Sequence, residues 1–390
     1  MIAVAPLLAY GLDAVALLSA AGYSAGIAWL TRGIRPQPTA GDGTPRVSVV
    51  VAARDEEAQI GAALARLRTQ DYPSERLEII VVDDGSIDQT ANVVSAACHE
   101  DPRILLLSTE AELGRSGAKK AALTLGVGRA NGEIILTTDA DCLVPPGWVR
   151  AMVAAFAPGV GLVCGFSQVG EPGGAASFRQ RYEALDFLGL MGCILGSADH
   201  GRPMGASGQS LGYRREVFLE VGGYERVRDR ASGDDVFLVQ LVRRQTAWHI
   251  AFVTAPEAHV VHPWANSWRA LLRQRTRWAS NAPAQWHMDR RFFGLMVAAY
   301  TVNLALVLGP LTVALGAIDL GFLAAAGAAK AVAEWRLLRR AATVFGRRDL
   351  LPGFAAWALV QPLHVVVVGL LGCLGVFTWK GRRHRWGRQR

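Results

Sequence analysis

Apolar positions along the chain fall into three regimes. Residues 4–30, "VAPLLAYGLDAVALLSAAGYSAGIAWL", form one apolar run with Asp13 as its single carboxyl, long enough to span a bilayer. The run lacks the basic start of a signal peptide and exceeds its apolar core, so a retained anchor is expected. A Pro/Gly-rich segment with Arg32, Arg35 and Arg46 follows. From Val47 to about Ala255 short apolar runs alternate with helix-spaced segments. "VSVVVAA" has no polar alternation, as a strand covered on both faces requires. "LEIIVVDDGS", "ILLLS" and "GEIILTTDAD" read as further strands. "EEAQIGAALARLRTQ", "QTANVVSAACHE" and "KKAALTLGVGRA" read as the helices between them. The alternation predicts an α/β fold with a doubly wound sheet and ligands at the carboxyl ends of its strands. Two of those ends carry paired acids.

Beyond about Phe292 the chain turns apolar again. "FFGLMVAAYTVNLALVLGPLTVALGA" and "FAAWALVQPLHVVVVGLLGCLGVFTW" are long enough to span. "LGFLAAAGAAKAVA" is short and interrupted by Lys330, and "EWRLLRRAATVFGRR" reads as an interfacial amphipathic helix. The expected organisation is a transmembrane helix over 1–32, a linker over 33–46 and a catalytic domain over 47–291. Two or three C-terminal spans with the interfacial helix occupy 292–379, and a basic tail 380–390. Two C-terminal spans would leave that tail inside the cell, three outside.

Composition supports this division. The 390 residues are 51% hydrophobic and 19% charged, which suits a globular domain attached to a membrane. The net charge of +8 is concentrated around Arg336–Arg348 and Lys380–Arg390, where basic clusters beside apolar spans meet anionic lipid. Arg32 and Arg35 after the first span direct the following domain to the cytoplasm, so a multi-pass protein of the inner membrane is expected. No nucleic-acid-binding signature accompanies the charge, and no nucleic-acid partner is expected. Five scattered cysteines without a CxxC suit reduced thiols.

Three stretches carry chemistry. In "GDDVFLVQLV" two adjacent carboxylates, Asp234 and Asp235, head an apolar helix; they complement the helix dipole or form a site. Asp139 and Asp141 form a D-x-D at a strand end. Hard oxygen ligands of this kind suit Mg²⁺ or Mn²⁺, the alternative being an Asx-rich turn. In "NSWRALLRQRTRWAS", Gln274, Arg277 and Trp278 share one helical face. A guanidinium matches phosphate oxygens, and an indole offers an apolar face to a sugar ring; the alternative is an interfacial anchor. His259 and His262 are read as structural, Trp264 and Trp268 as membrane-surface anchors, and Asp13 as functional or part of a helix–helix contact.

"VSVVVAARDEE", "VVDDGSIDQT", "GAKKAAL", "TTDADCLVPPGWV", "GASGQSLGYRREVF", "GDDVFL" and "QRTRW" occur in the order seen in family-2 glycosyltransferases. The chain resembles their membrane-bound branch, which includes cellulose, hyaluronan and poly-N-acetylglucosamine synthases and ceramide glucosyltransferase-like enzymes. The resemblance implies a GT-A fold, a nucleotide-diphosphate sugar donor (a UDP-sugar), a divalent metal, Mg or Mn, and inversion at the anomeric carbon. It implies nucleotide contacts from Ala53 and Glu56, base recognition by Asp83 or Asp84, and Lys119 and Asp139 near the diphosphate. Asp141 and Asp139 would hold the metal, and Asp235 would be the catalytic base, with Asp234 supporting it or binding acceptor. Gln274, Arg275, Arg277 and Trp278 of the QxxRW-type motif would meet acceptor or diphosphate. Three positions depart from the family pattern: Ala52 where Pro is frequent, Asp55 where Asn is, and Ser210 in place of Asn below the acceptor cleft. The expected function is sugar transfer to a lipid or lipid-linked acceptor at the membrane. The alternatives are a processive polysaccharide synthase and an inactive nucleotide-sugar sensor.

Overall fold

The computed structural model describes residues 4–38, 41–114, 118–228, 230, 232–379 and 382–385. In chain order the strands are β1 (Val47–Ala53), β2 (Leu77–Asp83), β3 (Ile104–Ser108), β4 (Ile134–Asp139), β5 (Val160–Gly165), β6 (Ser167–Val169), β7 (Leu211–Arg214), β8 (His249–Val253), β9 (Val260–His262), β10 (Val376–Trp379) and β11 (Arg382–Arg385). A seven-stranded sheet has the order β3-β2-β1-β4-β7-β5-β8. Only β7 runs against its neighbours, β4 and β5. A parallel β6–β9 pair stands beside the sheet, and β10–β11 form an antiparallel hairpin after the last long helix.

The continuous apolar runs feed two cores at once. In β1, Val49 and Val51 pack with Leu64 and Ile79 on one face, while Val50 packs with Val82, Ala122 and Val127 on the other. Ser48 is the polar exception and is satisfied: its hydroxyl donates to Glu78 and accepts from Gly132 N at 2.8 Å. The helix Ala118–Arg129 lies close to the sheet because Gly126 faces it; a Cβ there would stand 2.4 Å from Val50 Cγ1. That approach brings Lys119, at the helix start, to the strand ends.

The second core does not stop at the sheet. It continues through the helix Phe178–Asp199 into the N-terminal helix Val4–Arg32 and the helix Leu320–Val344. The crossing of the first two is a backbone contact, since a Cβ on Gly196 would lie 2.1 Å from the Leu30 carbonyl oxygen. Among the described residues three helical segments are long and apolar enough to cross a membrane: Asp13–Arg32, Arg290–Ala314 and Arg348–Leu374.

The segments read as a weak span and a separate interfacial helix form one continuous helix, Leu320–Val344. Lys330 does not interrupt it. Its ammonium is buried and donates at 2.8 Å to both Glu334 and Gln361, and Glu334 also accepts from Tyr23 Oη at 2.8 Å. Paired in this way a lysine can lie inside a helix bundle. Asp13 accepts from the Asp319 N–H at 3.1 Å, which is the helix–helix contact alternative. Trp264 is not a surface anchor: its indole lies partly buried against Gly170. Trp268 is exposed.

Candidate active site

Two acid clusters meet at the carboxyl ends of the central strands. Asp139 ends β4, and Asp141 stands in the turn closed by the Cys142 N–H on the Asp139 carbonyl at 3.1 Å. Asp234 and Asp235 open the helix Asp234–Gln245. The residue before them, Gly233, has φ 79°, a left-handed conformation that glycine adopts without strain. It is the N-cap, so neither acid occupies that position. Asp235 accepts from its neighbour Val236 N at 2.7 Å and from Gly208 N at 2.9 Å. Lys120 secures the approach to this helix by donating to the carbonyls of Arg230 (2.7 Å) and Ser232 (2.9 Å).

Lys119 joins the clusters, with Nζ 2.6 Å from Asp139 Oδ1 and 3.3 Å from Asp234 Oδ2. Burial works against its charge, but Asp139 and Asp234 outweigh burial and hold it far above the ordinary lysine range. Burial likewise opposes the Asp234 carboxylate, and Lys119 and Lys120 reverse the balance, leaving it below the usual value. Asp235 is different: burial, then the charge of Asp234, push its carboxyl up to about 6. Two adjacent acids thus receive opposite shifts, which separates a charged partner from a proton acceptor.

Asp139, Asp141 and Cys142 bring one ligand atom each within 4.8 Å of one another. The Cys142 thiol is buried and points to Asp141 Oδ1 at 3.5 Å; the two carboxylates are the hard donors. Burial, then Asp139 and Glu56, push Asp141 up to about 6. Such crowding of negative charge fits a hard divalent cation.

The ends of β1 and β2 lie side by side, with Ala53 in register with Asp83. Asp83 accepts from the Ser86 hydroxyl, Asp84 from Thr109 Oγ1 at 3.0 Å, and Arg54 lies 3.7 Å from Asp84. Asp55 has φ 50°, a region that Asn and Asp tolerate best among non-glycine residues, which accounts for an acid where Asn is usual. Glu56 anchors its N–H on Thr90 Oγ1 at 2.8 Å.

The helix Trp268–Ala279 divides its motif. The charges of Asp234, Asp139 and Asp235 act on Arg277, and burial lowers its pKa. Arg275 instead donates to Asp186 Oδ2 at 3.0 Å and to Gln274 Oε1 at 3.2 Å, and it lies 4.2 Å over the Trp278 ring. Ser210 is in the core, accepting from Trp148 Nε1 at 3.0 Å, which takes it away from any acceptor. The His259 and His262 rings pack against Phe166 and Phe187. Sequence reasoning passed over Lys120, Gly208 and Asp186. Lys120 and Gly208 lie inside quoted motifs, whereas Asp186 sits in an apolar helical run with no local signal.

The fold is that of GT-A glycosyltransferases. Residues 48–222 match the family model Glycosyl transferase family 2. It is 29% identical over 242 residues to "Probable glycosyltransferase YdaM" of Bacillus subtilis, covering 60% of this chain and 54% of the relative. It is 36% identical over 113 residues to "Beta-monoglucosyldiacylglycerol synthase" of Synechocystis, covering 29% of this chain and 23% of the relative. The match therefore spans about half the length of the first relative and a quarter of the second. Among solved structures, the mannosyltransferase PcManGT from Pyrobaculum calidifontis, in complex with GDP-Man and Mn²⁺, shares the fold with TM-score 0.61 and 20% identity. The match covers 90% of this chain and 99% of that one.

Proposed function

We propose that the chain is a membrane-bound, inverting glycosyltransferase that moves a sugar from a UDP-sugar to a lipid acceptor. The observation that carries this reading is the convergence of Asp139, Asp141, Asp234 and Asp235 with Lys119 and Arg277, on a core continuous with the apolar helices. In one in-line displacement the acceptor oxygen bonds to the anomeric carbon as the bond to the nucleoside diphosphate breaks. Asp235 takes the hydroxyl proton; a carboxyl near 6 is deprotonated at neutral pH yet basic for its kind. Asp234 keeps Lys119 oriented. Lys119 and Arg277 face the negative charge that develops on the leaving diphosphate. A divalent ion held by Asp139 and Asp141 supplies further charge neutralisation there when bound. Ala53, Glu56, Asp83 and Asp84 line the nucleotide end, and Gln274 and Trp278 the acceptor side.

The name of the Synechocystis relative supports a lipid acceptor, and the GDP-Man and Mn²⁺ of PcManGT support a nucleotide sugar with a metal. The catalytic domain, 47–291, would face the cytoplasm, the anchor and C-terminal helices crossing the inner membrane. A donor screen with membranes containing the protein tests this reading. UDP release with a glycolipid carrying one added sugar is expected. A ladder of long products points to a processive synthase, and tight UDP binding without release under any donor to an inactive sensor.

A further inference from the structure

A second polar group lies around Arg275 of the motif helix, which acts on Arg277 together with the acids. The helix Phe178–Asp199 presents Tyr182 and Asp186; the helix Trp268–Ala279 presents Arg275; the last apolar helix, Phe354–Leu374, presents His364. The Tyr182 and His364 rings are 5.4 Å apart, and the charges of Asp186 and Arg275 act on both. Tyr182 Oη and Arg275 Nη2 are buried and have no hydrogen-bond partner among the described residues. An orphaned buried donor is costly if nothing meets it. Two such donors in one cluster point to a missing polar partner.

We infer that Tyr182, Asp186, Arg275 and His364 bind the headgroup of the acceptor, and that this headgroup is uncharged and bears hydroxyls. The inference rests on the proposed transfer to a lipid. Three features carry it. The cluster lies between the catalytic domain and an apolar helix, and Tyr182 is flanked by Phe178 and Trp268, both exposed, at 6.2 and 5.3 Å. An acyl chain can therefore lie along the bundle while its polar end turns inward. Arg275 is already neutralised by Asp186 at 3.0 Å, so the group offers hydrogen bonds without net positive charge. A hydroxyl matches that; a phosphate would bring a charge with no cation of its own, which is costly where water is scarce. Finally, Arg275 stacks on Trp278, next in the chain to Arg277, which lies in the field of Asp235. Arg275 and the proposed base Asp235 both act on Arg277, so a headgroup held here lies beside the residue that the base acts on.

The test uses the full chain in phosphatidylcholine nanodiscs with a photoreactive dioctanoylglycerol probe, competed by unlabelled dioctanoylglycerol or by farnesyl phosphate. Competition by the glycerolipid alone is expected. Tyr182→Phe, which removes one oxygen and keeps the ring, should lower capture roughly 3–10-fold, the loss of one hydrogen bond, with UDP affinity unchanged. Asp186→Asn unmasks the Arg275 charge and should let farnesyl phosphate compete. Farnesyl phosphate competing equally in the wild type, or full capture by Tyr182→Phe, overturns the inference. Capture with this pattern in a protein that transfers no sugar would sink the proposed function and leave the subsite standing. Sugar transfer to farnesyl phosphate without capture of the glycerolipid would do the reverse.

Discussion

The ammonium of Lys119 lies 2.6 Å from Asp139, and through that contact the end of β4 is tied to the start of the helix carrying Asp235. Asp139 and Asp234 thus share one cation. Nearby, Gly208 leaves room for this contact, because a Cβ there would stand 3.2 Å from Lys119 Nζ and 3.3 Å from Asp234 Oδ2.

The opposite shifts of Asp234 and Asp235 give a pH signature. Asp235 must be deprotonated to accept a proton, so at saturating donor and Mn²⁺ transfer should fall as pH drops through about 6 and level off above it. The Asp234 charge is the second cause that raises Asp235, after burial. Asp234→Asn should therefore move the midpoint to lower pH, whatever it does to the maximal rate. A pH profile of kcat/KM for acceptor checks this; a midpoint that stays or rises contradicts it.

Asp141→Ala should reduce transfer at least about 100-fold, as loss of a charge-stabilising group does, and abolish the divalent-dependent part of UDP binding. Calorimetric titration of UDP with and without Mn²⁺ reads the second effect independently of turnover. Metal-dependent binding that survives in this variant counts against the Asp139–Asp141 assignment.

The parts legible in the sequence are those whose physics is local. β1 to β4 announce themselves because every residue of a doubly covered strand is apolar, and the acids stand at their ends. β5 and β7 contain glycines, and β7 runs antiparallel to both its neighbours, so no period marks them. Lys330 reads as a break in a span because its partner Gln361 lies 31 residues on, and its partner Glu334 is itself held by Tyr23 across 311 residues. Asp186 is silent for the same reason: only Arg275, 89 residues on, gives it a role. Sequence spacing also groups Arg277 with Gln274 and Trp278, whereas the folded helix gives those two to Arg275.

The crossing at Gly196 joins the N-terminal apolar helix to the helix Phe178–Asp199 through backbone contact. Gly196→Ala puts a Cβ 2.1 Å from the Leu30 carbonyl oxygen, and backbone cannot yield as a side chain can. A stability loss of about 1–3 kcal/mol is expected, as for overpacked cores. Thermal melting in detergent checks it, and an unchanged melting temperature contradicts the rigid junction.

Orientation is tested by labelling. A single added cysteine at Pro38 should resist a membrane-impermeant maleimide applied to intact cells and react after permeabilisation. Ready labelling from outside reverses the proposed cytoplasmic placement.

Asp235→Asn tests the central claim most directly. Asparagine keeps the size of the side chain and accepts through its carbonyl from Gly208 or Val236, but it cannot take a proton. Loss of a general base costs typically about 10²–10⁴-fold in rate. The measurement is the transfer rate of Asp235→Asn at saturating donor, alongside its UDP affinity and melting temperature. The account predicts transfer reduced at least about 100-fold with near-normal affinity and folding. Transfer above about a tenth of the wild-type rate, outside the range for a lost base, contradicts it and moves the proton-accepting role to another acid.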